Sequence, residues 1–248
     1  MPLLFRGPRL KIERAKQHIG DLHARLCALS TTDYHRLSVE RDPNTGDHLL
    51  AFEITQPLPD DVALIVGDAI HNLKSALDFA INDVVFEKTG KRSRHTKFPV
   101  YDSRSDLVVA LNGGTIRPAS ETIANLLLDG IKPYKGGNDA IWAIHDLNIQ
   151  DKHALLLPVI QIASLLDVCA EDERGNRILN GSLITVTGRV SVSFAATTKI
   201  KITNHGKATF AIFFDKGLPV EGHNVIETLR TFTEVVGGVI DAFSIALS

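Results

Sequence analysis

The chain has 248 residues, 44% of them hydrophobic, and its 27 Lys and Arg nearly balance 29 Asp and Glu for a formal net charge of −2. That composition can bury a sizeable core, and the charge balance gives no global attraction to nucleic acid or to an anionic membrane. No apolar run nears the roughly 20 residues of a membrane span, and residues 1–9 lack a secretory pattern, so cytoplasm is the expected compartment. Cys27 and Cys169 sit far apart in apolar settings without zinc-ligand spacing, which predicts reduced, buried thiols.

Along the chain, Ile12, Ala15, Ile19, Leu22 and Leu26 form one stripe of a helix over residues 8–30, ended by Ser30, Thr31 and Thr32. Two β-compatible runs, 34–40 and 48–54, flank Asp42-Pro43-Asn44-Thr45-Gly46-Asp47 and predict a hairpin. Pro57, Pro59, Asp60 and Asp61 introduce a helix to about Glu87, because proline suits a helix start and carboxylates complement its positive end. Its apolar face is Val62, Ile65, Val66, Ala69, Leu73, Ala76, Leu77, Ala80 and Val84. Basic side chains then crowd residues 88–97 (Lys88, Lys91, Arg92, Arg94, His95, Lys97), either a local cationic patch or a solvated loop.

An extended piece at 97–101 and a helix at 105–111 follow. A helix at 121–128 closed by Gly130 comes next, then a loop at 133–137. Asn138 or Asp139 caps a helix carrying Ile141, Trp142, Ile144 and Leu147, with Trp142 read as a core residue. Beyond Leu156 the pattern alternates through Val186, Val190, Val192 and Phe194, through Ile200 and Ile202, and through Phe210, Ile212 and Phe214. These predict strands of a half-buried antiparallel sheet, with turns at 173–175, 195–198 and 204–207. Asn224 caps a last helix with Val225, Leu229, Phe232, Val236, Val239 and Phe243 on one face. The fold class is α+β, a single domain over 1–248. A helix-rich half with an early hairpin runs to about residue 155, and an antiparallel sheet with a C-terminal helix occupies the remainder.

Asp68, His71, Ser75, Asp78 and Asn82, spaced three, four, three and four, form a polar stripe on the second helix. Such short polar residues each cost about 0.5 kcal/mol relative to Ala in a helix, a composition that suits a fixed site better than a wet surface. The second polar constellation lies at 142–153, where a helix aligns His145, Asn148 and Lys152 on the side of Ile141 and Leu155. Buried polar groups want partners, so the two polar faces are expected to meet. Their meeting makes either a cleft with shifted pKa values or a closed network in which Asp78 or Asp68 pairs with Lys152.

Asp68, His71 and Asp78, with His145 and Asp151 in reserve, are candidates for a divalent metal site, although HExxH and an EF-hand loop are absent. Ser75 has no GxSxG context, and Gly113-Gly114 and Gly136-Gly137 lack the strand and Lys of a phosphate loop.

Gly67-Asp68-Ala69-Ile70-His71-Asn72-Leu73-Lys74-Ser75-Ala76-Leu77-Asp78, with Phe98-Pro99-Val100, Lys132-Pro133-Tyr134 and Asp151-Lys152-His153, resembles a family of uncharacterised bacterial and phage-associated proteins. The resemblance runs from the first helix to about His153 and implies membership without a reaction. A fainter one is to HEPN domains, some of which cleave RNA with an Arg and a His four to six residues apart. Lys74 and Phe79 occupy those positions here, and Phe79 cannot transfer a proton.

The candidate catalytic set is therefore His71, Asp78, His145, Asp151, Lys152 and His153. His71 and His145 are the acid/base groups, Asp68 and Asp78 orient them or hold an ion, and Lys152 stabilises negative charge. The expected function is hydrolysis of a phosphoester or nucleic acid. The alternative is a non-catalytic binding or assembly module whose stripe is structural or a partner interface. Partners are open, with a homo-oligomer one option.

Overall fold

A computed structural model describes residues 4–30, 34–92, 95–184, 191–195 and 199–248. Thr31, Thr32, Arg94, Val186, Val190 and residues 196–198, on which several expectations fall, lie outside the described residues, as does the side chain of Val192. The elements are α1 (Arg6–Leu29), β1 (His35–Arg41), β2 (His48–Ile54), α2 (Asp60–Thr89), α3 (Arg104–Gly113), α4 (Ile116–Ala119), α5 (Glu121–Asn125), α6 (Asp139–Asp151), β3 (Val159–Asp172), β4 (Arg177–Ile184), β5 (Ser191–Phe194), β6 (Ile200–Phe213) and α7 (Val225–Leu247). The fold is α+β, as the periodicities predict. No helix among the described residues is long and apolar enough to cross a membrane.

Two compact units, each discontinuous in sequence, divide the chain: Met1–Asp21, Ala63–Leu157 and Phe214–Ser248 form one, Leu22–Val62 and Pro158–Phe213 the other. In the helical unit, α2 buries Val66, Ala69, Leu73, Ala76, Leu77, Ala80 and Val84, with Ile65 only half-buried. Each fully buried large aliphatic side chain contributes about 1.5–3 kcal/mol. From α7, Phe243 meets Phe98 with ring centroids 6.2 Å apart. Side-chain caps form where expected: Asn138 Oδ1 accepts from the Ile141 amide at 3.1 Å and Asn224 Oδ1 from the Glu227 amide at 3.2 Å.

Two local expectations for this unit are corrected, at Gly130 and at Trp142, and the piece at 97–101 stays outside any sheet. After α5 the chain widens into a π-helical turn over Leu126–Ile131, so Gly130 lies inside it. The left-handed closing residue is Lys132 (φ 56°), whose amide donates to Leu127 O at 2.8 Å. Residues 97–100 enter no ladder, and Tyr101 forms only an isolated parallel bridge with Tyr134. Trp142 is half-exposed, its indole N–H donating to Asp102 at 3.0 Å.

The β unit holds two three-stranded antiparallel sheets, ordered β1-β2-β5 and β4-β3-β6. The β1-β2 hairpin runs in register from His35 opposite Ile54 to Arg41 opposite His48, and late strand β5 joins it on β2. The turn expected at 204–207 is instead the interior of β6. Leu166 pairs with Lys207 and Val168 with His205, which sets Asp167 (φ 59°) against Gly206 (φ 72°). A Cβ on Gly206 would come within 2.5 Å of Leu166 O, so this glycine marks a kink in a long strand where the sequence suggests a turn. Of the two thiols expected to be buried, Cys27 is exposed and Cys169 half-buried.

Candidate functional site

The polar faces of α2 and α6 do meet, in three steps along the helices. At the first, Gly67 faces Asp151 so closely that a Cβ would lie 2.3 Å from Asp151 Oδ1; only a missing side chain admits the carboxylate. At the second, His71 Nδ1–H donates to Asn148 Oδ1 at 3.2 Å, and His71 Nε2 lies 3.4 Å from Ser75 Oγ. At the third, Lys74 and Asp78 on α2 come into electrostatic range of His145 on α6.

The third step is the most built. Lys74 Nζ donates to Asp78 Oδ1 at 2.6 Å, with the two side chains only 8% and 16% exposed. The same Oδ1 accepts from the Phe98 amide at 2.8 Å, while Lys97 Nζ stands 4.0 Å from Oδ2. Asn82, one turn on, donates to Thr96 O at 2.7 Å. The stripe thus spends Asp78 and Asn82 on holding the segment 96–98 against α2. This corrects the expectation that Asp78 or Asp68 pairs with Lys152: Lys74 sits one helical turn before Asp78 and reaches it first. Lys152 is instead exposed at the end of α6.

Beside this pair opens a cleft of about 470 Å³, whose polar lining includes Lys74, Asp78, His95, Lys97, His145 and Lys152 over an apolar floor that includes Leu111 and Ile116. Asp78 is the only carboxylate lining it among the described residues. Burial, above all, lowers the Lys74 pKa below the usual ammonium value; Asp78 opposes this, and Lys97 and Lys152 reinforce it. His145 is also lowered, by burial first and then by the Lys74 charge, with Asp78 and Asp146 opposing. Its imidazole is therefore uncharged at neutral pH and available as a base. His145 Nδ1 is buried with no hydrogen-bond partner among the described residues.

The other candidates lie elsewhere. His71 is exposed and does not line the cleft; Asp68 is exposed. Asp151 is half-buried, its carboxyl pKa raised by burial and by Asp68, with His71 opposing. His153 and Leu155 are exposed beyond the end of α6. Among the described residues no group of three or more His, Cys, Asp or Glu side chains is placed to hold a metal ion. The proposed set fails for a geometric reason: ten residues of helix separate Asp68 from Asp78 by about 15 Å, too far to share one ion.

Sequence reasoning left Lys74 out of the candidate set, naming it only through the family and HEPN likenesses, and placed His95 and Lys97 in a basic cluster open to two readings, a cationic patch or a solvated loop. Lys74 carried a signal, being the only Lys or Arg of α2 before Lys88 and standing four residues before Asp78. Phe79 is 47% exposed and lines a different groove.

The motif segments adjoin one another. Gly67 and Asp78 of the longest one meet Asp151 and the Phe98 amide, and the Tyr101 amide donates to Pro133 O at 3.1 Å. Comparison of the chain with protein-family models, curated proteins and solved structures finds no match.

Proposed function

We propose that the cleft binds a phosphoester and hydrolyses it, with His145 as the base. The observation that carries this reading is the convergence of three Lys side chains, Lys74, Lys97 and Lys152, on a cleft whose single described carboxylate is already occupied. A phosphate group entering there meets the buried ammonium of Lys74, where Coulomb attraction is strengthened by the low dielectric, and the exposed ammonium groups of Lys97 and Lys152. The uncharged imidazole of His145 takes a proton from water as its oxygen attacks phosphorus. The bond from phosphorus to the leaving oxygen breaks, and that oxygen is reprotonated from solvent at the open mouth. Lys152 and Lys97 stabilise the charge that builds on the phosphoryl oxygens. Lys74 and Asp78 hold the wall in place, and Asn148, oriented by His71, positions the α6 side. The reading also takes the chain as a member of the bacterial and phage-associated family, three of whose four motif segments contribute residues to the lining of this cleft.

The test combines phosphate binding by calorimetry with hydrolysis of bis(p-nitrophenyl) phosphate. Wild type should do both, and His145→Ala should lose on the order of 10²-fold or more in turnover while retaining its fold by circular dichroism. Failure to bind phosphate would overturn the proposal. Binding without turnover would favour a second reading, a non-catalytic anion-binding module. The engagement of Asp78 Oδ1 by both Lys74 and the Phe98 amide supports that reading, because it gives this carboxylate a structural role in the cleft wall.

A further inference from the structure

Asp78 and Lys97 line two cavities at once. One is the cationic cleft; the other is a groove of about 730 Å³ formed by the start of α1 and the adjoining face of α2, where Arg6, Leu10, Phe79, Asp83 and Arg92 complete the wall. Asp83 is occupied, since one oxygen accepts from the Phe5 amide at 3.2 Å and the other meets Arg92 at 3.1 Å. The cations keep exposed surface. Arg6 makes no ion pair among the described residues; Arg92, although paired with Asp83 and held 4.6 Å from the Phe86 ring centroid, and Lys97 are 63% and 68% exposed.

In this setting the Phe79 ring is 47% exposed although it projects from a helix otherwise rich in buried apolar residues. Gly7 backs it closely, since a Cβ there would lie 3.2 Å from Phe79 Cδ2, and Lys11 Nζ lies 5.9 Å from its centroid. A lone exposed phenylalanine needs no explanation. One with Lys11 at its ring, in a groove that is also lined by Arg6, Arg92 and Lys97 and shares two wall residues with the cationic cleft, has the composition of a base-stacking platform.

We infer that the phosphoester of the cationic cleft is a nucleotide whose base lies in the adjoining groove against Phe79. The inference rests on the reading of the cleft as a phosphate site and adds the part of the ligand beyond the phosphate. A free nucleotide and a nucleotide within a single strand share this chemistry. Lys97, on both walls, contacts the phosphate or the sugar between them, and Arg6 and Arg92 accept a neighbouring phosphate when the ligand is a strand.

The test is equilibrium binding of adenosine 5′-monophosphate, ribose 5-phosphate and a single-stranded hexadeoxyadenylate to wild type, Phe79→Ala, Phe79→Tyr and Lys152→Ala. Wild type should bind adenosine monophosphate more tightly than ribose 5-phosphate by on the order of tenfold, the size expected of one base–aromatic contact. Phe79→Ala should abolish that preference and leave ribose 5-phosphate binding unchanged, Phe79→Tyr should retain it, and Lys152→Ala should weaken both ligands together. Tighter binding of the hexanucleotide, reduced in Arg6→Ala, would identify a strand as the source; equal or weaker binding would identify the free nucleotide. Equal affinity for the two monophosphates in wild type, or a preference unchanged in Phe79→Ala, overturns the inference while leaving the phosphate site standing. Absence of binding by all three ligands overturns both.

Discussion

The two ends of the α2–α6 contact use the same residue types to opposite effect. At the Gly67 end, Asp68 and Asp151 repel each other, and Asp151 comes close to α2 because a glycine leaves room for it. At the Lys74 end, the carboxylate of Asp78 is half-buried, neutralised by a buried ammonium and fixed by a backbone amide, and a cationic cleft opens beside it. A charge on a helix face therefore says little about its role until its partner is known. One acidic residue of the stripe stays at the surface, and another organises a loop and the wall of a cleft.

The sharpest way to break this comparison is to remove each carboxylate in turn. Asp78→Ala strands Lys74 in a buried position and should cost about 3–5 kcal/mol in urea denaturation, whereas Asp68→Ala should stay within about 0.5 kcal/mol. Equal costs would mean that the two ends are alike. Next in size is Gly67→Ala. Helix propensity alone favours alanine by about 0.8–1 kcal/mol, but the new Cβ meets the Asp151 carboxylate. The single variant should gain none of that benefit, and the double variant with Asp151→Ala should recover it, a coupling measurable by a double-mutant cycle.

The two ends should also titrate in opposite senses. His145 has a folded pKa below 6.5, so as pH falls through 6.5 the unfolded chain takes up a proton that the folded one refuses, and stability drops. His18, lowered by burial and Arg14, adds to the same limb. His145→Gln should make the decline in Tm between pH 7.5 and 5.5 shallower without abolishing it. Asp151, raised above 3.8, works the other way: stability is lost as pH rises from 3.8 through its folded value. Asp151→Asn should consequently give the smallest effect, a rise on the order of a few tenths of a kcal/mol at neutral pH, since the group is partly solvated.

Elements with strong local signals were legible from sequence. The apolar stripes of α1, α2 and α7, the hairpin turn around Asp42 and the caps at Asn138 and Asn224 are decided within a few residues, and each forms as expected. The meeting of the α2 and α6 polar faces was legible too, because buried polar groups on one helix require partners on another. What escaped depends on distant chain. Nothing near Ser191 reveals that β5 completes the sheet of the early hairpin, and nothing near Gly206 separates a kink from a turn until β3 lies alongside. In the site, the eye is drawn to His71 and His153 by residue type, yet their exposure follows from where helices end and face. Lys74 enters the sequence reading only through the family and HEPN likenesses, because nothing beside a lysine between Leu73 and Ser75 signals that its ammonium is buried against Asp78.

The segmented make-up of the helical unit bears on how the chain is made. Its core brings Phe98 against Phe243, so α7 is needed to close a hydrophobic interior begun by α1 and α2. During vectorial synthesis the apolar face of α2 must wait, unfinished, while more than a hundred further residues emerge, a span in which it is open to chaperones and to aggregation. Nascent chains arrested before residue 225 should therefore be protease-sensitive throughout α2, and release of the α7 segment should bring protection there in a single late step.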